Sequence, residues 1–186
     1  FVLLLGPMAY AGGSGFYFMA CAYMSTGLSM VIFFSYPFII ALFAWLTRKY
    51  RFNLATFLLL VCMSIGFFLL QASTNDPLSM MGVFLSFAAA ASYALYIIGS
   101  KKYSSHAIDS NILTMLISFG AALIFMAFAL SQQGYIATPQ SAQSWGYLLS
   151  LGILVTALPI QLMLEGLKKI SSMRASIISV LEPVVT

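Results

Sequence analysis

Apolar residues run through this chain in long unbroken blocks, separated by short polar stretches. Six blocks, roughly Phe1–Tyr23, Gly27–Leu46, Leu54–Leu70, Pro77–Gly99, Asn111–Leu130 and Trp145–Leu167, approach the length that crosses a bilayer, about 20 residues for about 30 Å of hydrocarbon. A seventh begins near Ser172 and stops at Thr186, too early to cross. Within the blocks, apolar and polar residues do not alternate as they would along membrane-barrel strands. Lipid offers no partner to an open backbone group, so the blocks predict α-helices. Tyr50, Tyr103, Tyr135 and Trp145 fall at block ends, where aromatic rings sit at a membrane interface. Asp76-Pro77 supplies a turn and a helix start. The expected fold is an all-α polytopic membrane protein. Phe1 opens directly into an apolar run and Thr186 falls inside one, so the chain reads as truncated at both ends.

The polar connections differ in charge. All 8 Lys and Arg residues fall in three loops: Thr47–Asn53, Ser100–Ser110 and Leu167–Arg174. The alternate connections, Tyr23–Thr26, Gln71–Leu78 and Ser131–Ser144, carry none. Basic residues remain on the cytoplasmic side, where the leaflet is anionic and translocation is avoided. Loops 47–53, 100–110 and 167–174 are therefore expected in the cytoplasm of a cell whose plasma (inner) membrane holds the chain. Composition agrees: 62% of residues are hydrophobic and 6% are charged, against about 25% charged in soluble domains. The net charge of +4 is split among three juxtamembrane clusters. It forms no single basic face, so a nucleic-acid partner is excluded. Cys21 and Cys62 sit inside apolar runs, which argues against a disulfide framework or a metal site.

The chain also repeats. Shifted by 146 positions, residues 1–40 align with residues 147–186 without a gap, and seven identities result: Leu3/Leu149, Leu5/Leu151, Gly6/Gly152, Ala11/Ala157, Ser25/Ser171, Ile32/Ile178 and Pro37/Pro183. The turn in the first copy, Tyr23–Thr26, is uncharged, whereas its counterpart holds Lys168, Lys169 and Arg174. One unit with two opposite charge biases implies two opposite orientations, a signature of secondary transporters.

The stretch YFMACAYMSTGLSMVIFFSYPFIIALFAWL (Tyr17–Leu46), the stretch GVFLSFAAAASYALYIIGSKKY (Gly82–Tyr103) and the stretch LEGLKKISSMRASIISVLEPVVT (Leu164–Thr186) resemble the drug/metabolite transporter superfamily, EamA-like branch. The resemblance covers essentially the whole chain. It implies two inverted five-helix repeats, with helices three to eight and part of the ninth, out of ten, present here. Residues 1–72 would be the end of the first repeat and residues 77–186 the start of the second. It further implies cytoplasmic termini and export or exchange of small metabolites. One departure is Tyr36 before Pro37, where the second copy has Glu182 before Pro183.

Several residues are candidates for substrate binding or coupling. Glu182 is an acid deep within an apolar block, where a charge costs about 2.5–3.5 kcal/mol on insertion scales. It either carries a proton coupled to transport or serves as a structural partner in a kink. Pro37 and Pro183 each remove a backbone N–H and mark helix kinks. Tyr10, Ser35, Tyr36, Tyr93, Tyr96, Thr156, Gln161 and Ser179 are the other polar groups at membrane depth. Each either hydrogen-bonds a substrate or ties one helix to another. Glu165, three and four residues before Lys168 and Lys169, reads as an interfacial ion pair. Gly12–Gly15 lacks the strand and GK[ST] of a phosphate loop and instead permits close helix approach. His106 lies in a basic loop without a partner ligand. The expected function is a secondary transporter, working by alternating access on a small metabolite such as an amino acid, driven by the proton gradient or by substrate exchange. No cofactor, metal or enzymatic chemistry is implied. The alternatives are a polytopic channel or a seven-helix receptor-like protein.

Overall fold

The computed structural model describes residues 2–47, 78–104, 109–135 and 138–179, with isolated helical positions at 57, 58, 61, 65 and 69. Most of the described residues are helical, with no strand among them. The helices are α1 (Val2–Cys21), α2 (Thr26–Phe33), α3 (Tyr36–Leu46), α4 (Met80–Ser104), α5 (Ser110–Gln133), α6 (Ala142–Ser150), α7 (Leu158–Lys169) and α8 (Ser172–Ser179). A wide π-helical turn, Leu151–Ala157, joins α6 to α7. Four of these stretches are long and apolar enough to cross a membrane: Thr26–Leu46, Met80–Lys102, Ser110–Gln133 and Ala142–Lys169. The chain is an all-α, multi-pass membrane protein. The block Leu54–Leu70, and Glu182 with Pro183, fall largely or wholly outside the described residues.

Helix ends follow local chemistry. The Ser25 hydroxyl accepts from Leu28 N–H at 3.4 Å and opens α2. The Asp109 carboxylate accepts from Asn111 N–H at 2.9 Å and opens α5. Ser141 does the same for α6, accepting from Ser144 N–H at 3.1 Å. Each satisfies a donor that the first helical turn leaves open. Gly134 closes α5 with φ of 72°, and its N–H bonds to the Leu130 carbonyl; a side chain would disfavour that left-handed conformation.

Two blocks that read as single helices are interrupted. Gly27–Leu46 breaks at Phe34–Ser35, just before Tyr36 and Pro37 start α3. Pro37 has no N–H for the Phe33 carbonyl, and its ring crowds the preceding turn, so the ladder stops there. The block Trp145–Leu167 starts earlier, at Ala142, and contains the wide turn. Within that turn the Thr156 hydroxyl bonds back to the Leu151 carbonyl at 3.1 Å. Pro159 follows directly, at the start of α7. The wider turn makes room for a ring that would collide with the carbonyl of Val155 in a regular helix.

Packing centres on α4, which lies against α1, α2, α3, α7 and α8. Small residues bring α1 and α4 together: a Cβ on Gly12 would lie 3.2 Å from Ser92 Oγ, and one on Gly13 would lie 3.4 Å from Tyr93 Cβ. Helices in lipid use this close approach because dispersion, not water exclusion, binds them. The main core joins Ile40 of α3, Ile97 of α4, Ile117 of α5, Leu164 and Leu167 of α7, and Met173 and Ala175 of α8. Most of these residues lie toward the end of the bundle where Lys101, Lys102, Lys168 and Lys169 are found. There the Lys101 ammonium donates to the Leu167 carbonyl and caps the end of α7. A smaller cluster, Ala20, Met24, Leu28 and Leu85, closes α1, α2 and α4 at the opposite end. Large apolar side chains such as Leu149, Ile153 and Leu154 remain exposed along α6 and the wide turn, as a lipid-facing surface requires.

Candidate functional site

A cavity of about 700 Å³ lies in the middle of the bundle. Its walls come from α1 (Tyr10, Gly13, Ser14, Tyr17, Phe18), the end of α2 (Met30, Phe33, with Phe34 beyond) and α4 (Tyr93, Tyr96). The facing wall is Val155 and Thr156 of the wide turn, then α7 (Leu158–Ile160, Leu162, Met163), with Ser179 at the end of α8. The volume falls within the usual range for small-molecule sites, about 300–1,000 Å³.

The aromatic rings form a continuous network. Tyr10 meets Tyr96 edge-on, with centroids 5.4 Å apart at 66°. Tyr93 touches Tyr96 at 5.6 Å, Phe33 at 5.3 Å and Tyr36 at 4.9 Å. The edge-to-face pairs, Tyr10–Tyr96 and Tyr36–Tyr93, fix ring positions and leave faces for a ligand. Hydroxyls of Tyr10, Ser14, Tyr17, Tyr93, Tyr96, Thr156 and Ser179 sit on the lining residues. No lining residue among those described is acidic, basic or a histidine. No group of three or more metal-ligating residues occurs among the described residues either. The arrangement suits a solute with apolar surface and a few hydrogen-bonding groups.

The sequence-derived candidates divide. Tyr10, Tyr93, Tyr96, Thr156 and Ser179 line the cavity. Tyr36 is buried behind it against Tyr93. The Ser35 hydroxyl is buried without a hydrogen-bond partner at the interruption before α3, and Pro37 is buried at the start of that helix. Gln161 is not part of the lining; its amide donates to Asn111 Oδ1 at 2.6 Å and ties α7 to α5. Glu165 pairs with Lys168 at 2.8 Å on the surface. Glu182 and Pro183 lie outside the described residues.

Ser14, Tyr17, Phe33, Pro159 and Met163 also line the cavity, and inspection of isolated polar positions overlooks them. The internal repeat carries the signal. Applying the shift of 146 to the lining pairs Tyr10 with Thr156, Gly13 with Pro159, Ser14 with Ile160, Tyr17 with Met163 and Phe33 with Ser179, and every member is a lining residue. The same shift relates two helix caps. Ser25 accepts from Leu28 N–H, and Ser171 accepts from Arg174 N–H at 3.3 Å.

Residues 80–186 match the model of the EamA-like transporter family. The chain is 25% identical over 177 residues to a curated relative, the uncharacterized transporter YcbK of Bacillus subtilis (strain 168). That alignment covers 91% of this chain and 56% of the relative, so the chain spans about half the relative's length. A protein of known crystal structure superposes with a TM-score of 0.80 at 18% identity, covering 99% of this chain and 64% of the other. That likeness concerns the fold alone. With the matched segment taking in more than half of the chain, this protein belongs to the EamA-like transporter family.

Proposed function

We propose that this chain forms the central part of a secondary transporter that moves a small amphipathic metabolite, such as an amino acid, by alternating access. The observation that carries the reading is the cavity, in which five repeat-equivalent pairs of positions face each other from α1–α2 and from the segment between the wide turn and α8. A site shared by two copies of one unit can be exposed to either side when the copies exchange shapes. Aromatic faces hold the apolar part of the solute, and the hydroxyls of Tyr10, Tyr93, Thr156 and Ser179 bond its polar groups. The basic ends of the helices face the cytoplasm. Glu182, immediately before Pro183, supplies the proton-coupling carboxyl.

The test is reconstitution of the full-length protein in liposomes with radiolabelled amino acids. The expected result is saturable uptake, accelerated by unlabelled substrate on the opposite side. Tyr93→Ala lowers uptake about tenfold, the equivalent of about 1.4 kcal/mol of lost binding. Flux that rises linearly with concentration and shows no counterflow would identify a pore instead. Wild-type proton dependence in Glu182→Gln would remove that residue from coupling.

A further inference from the structure

A second, smaller cavity of about 200 Å³ lies between the first half of α1, the last turns of α4 and the first half of α5. Leu5, Gly6, Ser100, Lys102 and Leu113 are among its walls. These segments belong to the basic end of the bundle, whereas the larger cavity occupies the middle and the opposite half. The two spaces are thus arranged in series along the helices. Tyr96 lines both of them.

Tyr96 is 2% exposed, and its ring is held edge-on by Tyr10. Its phenolic oxygen is buried. Ser100 stands one turn along α4, and the phenolic oxygen has no hydrogen-bond partner among the described residues. An unsatisfied buried hydroxyl is costly, and native structures retain one where another state or a ligand satisfies it. Tyr36, equally buried beside Tyr93, borders neither cavity.

We propose that Tyr96 is the partition between the two cavities, and that its ring leaves the edge of Tyr10 to join them when substrate passes toward the basic end. This role rests on the transport reading above. The ring is the barrier. The hydroxyl is the group that finds a partner, substrate or water, once the ring has moved.

The experiment uses the full-length protein with every native cysteine, Cys21 and Cys62 among them, replaced by Ser, a single reporter Ser100→Cys in the smaller cavity, and a membrane-impermeant maleimide added on the face opposite the basic loops. Rates are referred to a Ser14→Cys reporter in the larger cavity. With Tyr96 intact the reporter is protected, and Tyr96→Ala raises its labelling rate at least tenfold. Tyr96→Phe keeps the ring and keeps the protection. If Tyr96→Ala does not fold, Tyr10→Ala removes the supporting ring and raises the rate several-fold. An unchanged rate in the alanine variants, or equal labelling of the Phe and Ala variants, overturns the partition. Counterflow by the parent protein reports separately on transport. Intact counterflow with unchanged labelling defeats the partition alone, and absent counterflow defeats the transport reading whatever the labelling.

Discussion

Gly120 and Gly82 make the same kind of contact with neighbours of opposite character. A Cβ on Gly120 would lie 2.5 Å from Pro7 Cγ, and one on Gly82 would lie 2.9 Å from Met24 Cγ. The Pro7 ring is rigid and built into α1, so α1 and α5 would have to separate. The Met24 side chain has several rotatable bonds and can turn aside. Gly120→Ala is therefore expected to destabilise by about 1–3 kcal/mol, the usual cost of overpacking. Gly82→Ala should cost less than half as much. Thermal unfolding of the two purified variants in one detergent checks the difference; equal losses would mean that neighbour flexibility does not decide the outcome. Tyr10 and Thr156 make the related point for function, since residues of different type occupy equivalent places on the two walls of one cavity.

At the scale of elements, the wide turn at Leu151–Ala157 is the main departure from regular geometry. Its repeat counterpart, residues 5–11, is an ordinary part of α1. Gly13 stands at the position equivalent to Pro159, so the ring that follows the wide turn has no counterpart there, although α1 holds Pro7 within the same segment without a wide turn. Pro159→Ala restores the missing N–H and lets the turn tighten. The expected outcome is a more stable protein, because proline inside a helix costs up to about 3 kcal/mol relative to alanine. Transport falls at the same time, because Val155 and Thr156 rotate away from the cavity wall they now form. Melting temperature and uptake measured on one preparation decide this. A destabilised variant with normal uptake would show that packing, not the proline, sets the turn.

For the whole molecule, the larger cavity lies in the middle and the main core of the described helices lies toward the basic end. Lys101 holds α7 there, and Leu164, Leu167 and Met173 fill the space behind it. The end that carries Gln133 and Ser141 has no comparable basic residues among those described. Single-cysteine versions at Lys101, Lys168 and Gln133 are expected to label in two classes with an impermeant reagent. The two lysine positions should react from the cytoplasm and the glutamine position from outside. Lys101 and Lys168 on opposite sides would break the inverted arrangement. The exposed apolar surface of α6 and the wide turn makes the same molecule prone to aggregate without lipid or detergent.

Block length and loop charge are local properties, and they were enough for the membrane class, for most helix positions among the described residues and for the proposed orientation. The starts and ends of Val2–Cys21, Thr26–Leu46 and Ser110–Gln133 lie within a few residues of the apolar blocks, because in lipid the hydrocarbon thickness and the demand for closed backbone bonds leave little choice. The sequence also held the repeat, and with it the pairing of lining residues. It did not show which polar side chains would face a shared space. Gln161 and Thr156 look alike as isolated polar positions in one apolar block, yet one bonds Asn111 and the other borders the cavity. That choice depends on the rotation of each helix about its axis, and the wide turn changes the rotation partway along the block. Only contacts between helices distant in the chain set these angles, so the cavity and the place of Tyr96 between two spaces belong to the tertiary structure.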